Sequence, residues 1–149
     1  MVPPKIVILN GVNLDLLGTR EPEYYGHENL EDLVKILKAQ KNYELQFYQT
    51  NSEAEFLSYL SMPWDGALIN AGAWTHSSLA ISDRLAAVKR PFVEVHLSNI
   101  YARETERHRS YLAAHALGVI SGFGITSYVL GLSAILAHLE KQEQGSARS

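Results

Sequence analysis

The chain contains no cysteine, which at once excludes disulfides, thiolate metal ligands and a cysteine nucleophile. It also lacks a bias of charge: 13 basic side chains face 16 acidic ones, a formal net charge of −3. A nucleic-acid surface needs a basic face, and this balance argues against one. No apolar run reaches the roughly 18 residues that cross a bilayer. Met1-Val2-Pro3-Pro4-Lys5 carries no signal-peptide core. These absences read as a cytoplasmic protein with neither a membrane nor a nucleic-acid partner. The first turn also lacks Gly-x-Gly-x-x-Gly or any Ser/Thr-rich phosphate cradle.

What is present is a core. Hydrophobic residues make up 46% of 149 and charged ones 19%, enough for one globular domain and too little chain for two. Apolar strand-length runs at 5–10, 43–49, 66–70, 91–96 and 118–121 alternate with helical spacings. Leu30, Leu33, Val34 and Leu37 predict a helix capped by Asn29, and Ser52-Glu53-Ala54-Glu55 reads as a capping box before Phe56, Leu57 and Leu60. A third helix spans about 78–88. The last is marked by Tyr128, Val129, Leu132, Ile135, Leu136 and Leu139, followed by a polar tail over 140–149 that is expected to fray. Strand–helix alternation of this kind predicts a doubly wound α/β domain of flavodoxin-like type. It would have a five-stranded parallel sheet with helices on both faces.

Ligands of open α/β sheets bind beyond the carboxyl ends of the strands. Those ends carry Asn10 and Asn13, then Asn70, then Glu94 and His96. Asn70 alone reads as a strand-ending turn residue; the set together reads as a crevice. Glu94 and His96 are two apart and share a face, so the carboxylate can fix the imidazole tautomer. After them, Leu97-Ser98-Asn99 offers amides and a hydroxyl. Further on, the run from Arg103 to Arg109 offers a cation. Arg20 and Tyr25 sit on a loop bracketed by Gly18 and Gly26. A tyrosine is a poor base unless a nearby guanidinium lowers its pKa by roughly 1–3 units. Tyr24 reads as packing.

These residues resemble the type II 3-dehydroquinate dehydratases, or type II dehydroquinases, over nearly the whole chain. The resemblance rests on Asn10-Gly11-Val12-Asn13-Leu14, Leu17-Gly18-Thr19-Arg20-Glu21-Pro22 with Tyr25-Gly26, Ile69-Asn70-Ala71-Gly72-Ala73 with Thr75-His76, and Glu94-Val95-His96-Leu97-Ser98-Asn99. It implies a cofactor-free lyase that removes water from 3-dehydroquinate to give 3-dehydroshikimate, in aromatic biosynthesis or in quinate breakdown. It further implies that Tyr25 is the base at carbon 2 and that Arg20, on a mobile lid, favours its phenolate. Asn13 would hold a water against the enolate. His96, oriented by Glu94, would protonate the departing hydroxyl. Asn70, His76, Ser98, the Leu97 amide and Arg107 would bind the substrate's carboxylate and hydroxyls. Asp83 would reach a neighbouring subunit's site in a dodecamer of trimers. The chain departs from the family at Val12, where proline is usual and would stiffen the turn of Asn13. It departs also at Trp74, Glu106 and Ala113-Ala114.

The chemistry is coherent on its own terms. Removing a proton beside a ketone needs an electron sink or a stabilised enolate. Lysines 5, 35, 38, 41, 89 and 141 avoid the strands' carboxyl ends, which disfavours an imine. His76, Glu94 and His96 imitate a metal-ligand set, but orienter and acid describe the last two better. Hydrogen bonds to an enolate oxygen remain. The rival from another class is a non-catalytic module binding flavin or nucleotide phosphates.

Overall fold

Successive residues of a strand face opposite sides of its sheet, and this alternation organises the molecule. The computed structural model describes residues 2–16, 32, 35, 37 and 42–148. Strands β1 (Lys5–Asn10), β2 (Glu44–Gln49), β3 (Gly66–Asn70), β4 (Phe92–His96) and β5 (Gly118–Ser121) form one sheet. Every pairing is parallel and the order is β2-β1-β3-β4-β5. That is the flavodoxin-like order predicted from the strand–helix alternation. Helices α1 (Glu53–Leu60), α2 (Leu79–Val88) and α3 (Thr126–Arg148) cover it. Asp32, Lys35 and Leu37 are helical as well. Asn29, Leu30, Leu33 and Val34, which carry the sequence signal for that helix, lie outside the described residues.

On one face Ile6, Ile8, Leu68, Val93 and Val95 pack against Tyr128, Leu132 and Ile135 of α3. On the other, Val7, Leu9, Ala67, Ile69 and Phe92 pack against Phe56 and Leu60 of α1 and Ile81 and Leu85 of α2. Burying each such side chain stabilises the fold by about 1.5–3 kcal/mol. Caps set the helix starts: Ser52 Oγ accepts from the Glu55 amide at 3.2 Å, and Ser78 Oγ from the Ile81 amide at 3.0 Å. The Glu55 carboxylate accepts the Tyr59 hydroxyl at 2.8 Å.

The end of the chain differs from the sequence reading. A frayed tail was expected over 140–149, yet α3 continues through Arg148. Its last turns are exposed and hold Glu140, Lys141, Gln142, Glu143 and Gln144. These residues have high intrinsic helix propensity and extend a helix already nucleated on the core.

Candidate active site

The point where strand order reverses lies between β1 and β3, and there Asn10 and Asn70 stand side by side in register. Both end columns of side chains that face α3. Above them Tyr128, completely buried, donates its hydroxyl to Asn10 Oδ1 at 2.8 Å and accepts from Asn70 Nδ2 at 2.9 Å. Asn70 Oδ1 accepts from the Gly72 amide at 3.1 Å. Burial pushes the Tyr128 phenol well above its ordinary value, against the smaller opposing effect of its two asparagine partners. It stays protonated.

After β1 the chain turns sharply. The Gly11 amide donates to Asn70 O at 2.8 Å, and a Cβ on Gly11 would lie 2.4 Å from Ala71 O. Only glycine allows that approach. Asn13 is left-handed at φ 68°, a conformation asparagine tolerates better than most residues. Its amide donates to Asn51 Oδ1 at 2.8 Å, and Gln49 Nε2 donates to Gly11 O at 3.2 Å. Hydrogen bonds from β2 and the residues after it thus hold the turn that a proline at position 12 would stiffen.

Glu94 and His96 face the opposite side of the sheet, 1% and 5% exposed. His96 Nε2 lies 2.7 Å from Glu94 Oε2. With Nε2–H directed at the carboxylate, Nδ1 is left to exchange a proton. The other carboxylate oxygen accepts from Ser110 Oγ at 2.7 Å. Ser110 Oγ in turn accepts from the amides of Leu112 and Ala113, both at 3.1 Å. Sequence reasoning missed Ser110, because it is 16 residues from Glu94 and on another segment. His76, ending the 3-10 turn Gly72–His76, stacks on His96 with ring centroids 6.2 Å apart. His76 Nδ1–H donates to Arg109 O at 2.8 Å. Burial, then the neighbouring His96 and Arg107, hold its pKa below the ordinary 6.5.

One cleft joins these parts. Asn13, Asn70, His76, His96, Leu97, Ser98 and Arg107 all line it, and Glu94 lies beneath His96. Arg107 Nε is paired with Glu104. Arg103 lines the cleft too; the cationic run pointed to its segment without selecting it. Asp83 is not brought to this cleft and sits exposed on α2. Arg20 and Tyr25 lie outside the described residues. Among the described residues, no cluster of three His, Asp or Glu is arranged to hold a metal ion, and no helix is long and apolar enough to cross a membrane.

A flavodoxin-like sheet with amide side chains at its switch point and a carboxylate–imidazole pair at the end of β4 defines an α/β protein equipped for acid–base chemistry. The family model described as dehydroquinase class II matches residues 4–136, and the chain belongs to that family. A 3-dehydroquinate dehydratase from Dinoroseobacter shibae is 51% identical over 140 residues, covering 90% of this chain and 93% of its own length. One from an Exiguobacterium species is 48% identical, covering 90% and 95%. The type II dehydroquinase structure from Butyrivibrio crossotus superposes with a TM-score of 0.86 at 38% identity, over 89% of this chain and 97% of that one. Family membership decides against the flavin- or nucleotide-binding module.

Proposed function

We propose that this chain dehydrates 3-dehydroquinate to 3-dehydroshikimate through an enolate, with Tyr25 as base and His96 as acid. The observation that carries the reading is the buried Glu94–His96 pair at 2.7 Å, whose imidazole lines the cleft. The Tyr25 phenolate, favoured by Arg20, takes the carbon 2 proton, and the electron pair moves onto the carbon 3 ketone oxygen. A water held by Asn13 hydrogen-bonds that enolate oxygen. As the enolate collapses, the carbon 1–oxygen bond breaks and His96 supplies the proton with which the hydroxyl leaves as water.

Preorganised donors in a water-excluded site stabilise such charge by a few kcal/mol each. Ser98 and the Leu97 amide suit the substrate carboxylate; Asn70, His76 and Arg107 suit its hydroxyls. His76, kept neutral by burial and spending Nδ1–H on Arg109 O, retains Nε2 as an acceptor for a hydroxyl. Arg103, which also lines the cleft, adds a guanidinium to it. Asp83, exposed on α2, completes a neighbouring subunit's site in trimers that build a dodecamer. The enzyme works in the cytoplasm without a cofactor.

Purified protein supplied with 3-dehydroquinate develops the absorbance of a conjugated enone without added metal; no absorbance change refutes the reading. Borohydride does not inactivate the enzyme–substrate mixture, since no imine forms. Tyr25→Phe and Arg20→Ala each fold normally and lose about 10²–10⁴-fold in kcat, the usual weight of general acid–base catalysis. Near-normal turnover of Tyr25→Phe reassigns the base.

A further inference from the structure

Tyr128 carries a hydroxyl that the mechanism above does not use. Its ring belongs to the α3-side core, where phenylalanine packs equally well, yet the phenol oxygen is placed between two carboxamides. The direction of each bond follows from the groups. Asn10 Oδ1 only accepts, so the Tyr128 proton lies along that 2.8 Å contact. The phenol oxygen then accepts one N–H of Asn70 at 2.9 Å. At its other end Asn70 Oδ1 is already taken by the Gly72 amide. The Asn70 amide is therefore held at both ends and a flip would break both bonds. Its second N–H remains for an oxygen in the cleft that Asn70 lines. The network also reaches the turn of Asn13, because Asn10 is the last residue of β1 and Asn70 O accepts from Gly11.

We propose that Tyr128 is a positioning residue of the active site: its hydroxyl sets which way the Asn70 amide faces, and so presents an N–H donor to the substrate. The inference rests on the reading of Asn70 as a substrate contact. Removing the hydroxyl leaves the amide held only at Oδ1, by the Gly72 amide, and loosens its N–H end. It also leaves the Asn10 side chain bare, since Asn10 Nδ2 is buried with no hydrogen-bond partner among the described residues.

The test is a double-variant cycle on the purified enzyme with 3-dehydroquinate. Tyr128→Phe raises KM about 5–10-fold with kcat within about twofold, the weight of one hydrogen bond made equally in ground and transition states. It also lowers Tm. A purely structural tyrosine lowers Tm alone, when activity is assayed well below it. Asn70→Ala raises KM by itself, and adding Tyr128→Phe to it raises KM no further while still lowering Tm. A Tyr128→Phe enzyme with unchanged KM overturns the proposal, as do KM increases that multiply in the double variant. If Asn70→Ala leaves KM unchanged, it is the reading of Asn70 as a substrate contact that falls, and the proposal with it. Should Tyr128→Phe fail to fold, Asn10→Ala decides. It keeps the phenol but removes its acceptor, so the phenol proton loses its fixed direction, the Asn70 N–H contact to the phenol oxygen loosens and KM rises; an unchanged KM overturns the proposal.

Discussion

On the face that packs against α3, the apolar columns through Ile8 and Leu68 end in Asn10 and Asn70; on the opposite face, Phe92 is followed by Glu94 and His96. The first pair is neutral, and a phenol that remains protonated holds it. The second is ionisable and is held by a serine hydroxyl and by the pair's own 2.7 Å contact. Both open on one cleft. The neutral face presents amide groups of fixed direction, and the ionisable face presents an imidazole whose chemistry allows proton transfer. Strand alternation keeps the two apart, so that neither pair spends its hydrogen bonds on the other.

The sharpest way to break this division is His96→Gln, which keeps a hydrogen-bonding amide and removes the proton. We expect kcat to fall about 10²–10⁴-fold with KM little changed, read in single-turnover assays. A KM effect of that size with kcat preserved would make the ionisable face a binding face. Glu94→Gln makes that pair neutral, like the one across the sheet. A fall of roughly 10–100-fold in kcat, about 1.4–2.7 kcal/mol of transition-state stabilisation, should come with an altered pH–rate profile; an unaltered profile separates Glu94 from the acid.

Asn51→Ala probes the neutral side. It removes the acceptor of the Asn13 amide and costs about 0.5–1.5 kcal/mol, expected as a several-fold loss in kcat with global stability nearly intact. The smallest effect concerns pH. Burial lowers the His76 pKa from 6.5, so the unfolded chain binds more protons there than the folded one. Its contribution to stability is present above 6.5 and is lost as pH falls from there through the lowered folded-state value. Between about pH 7.5 and 5.5 the wild type should lose more Tm than His76→Gln, by scanning calorimetry; equal losses refute the assignment.

Strand positions were legible because period-2 patterning is local: β1, β3 and β5 have the predicted limits, and β2 and β4 each begin one residue later. The α3 end was not legible as a frayed tail, because helix propensity past the core carried it on to Arg148. Glu94 and His96 were legible as a pair, being two apart on one strand. Ser110, Asn51 and Tyr128 were not, since their partners lie 16, 38 and as many as 118 residues away.

By itself the sequence determined the alternating core, the parallel doubly wound order, the polar strand ends and, through separated motifs, the family. Tertiary structure alone decided which of those polar groups hold one another. It set His96 on Glu94 with Ser110 behind, joined Asn10 to Asn70 through Tyr128, and left Asp83 on the outside of α2. The reason is physical. Hydrophobic period is a property of neighbours along the chain, whereas a hydrogen bond is set by distance and direction between groups that only folding brings together.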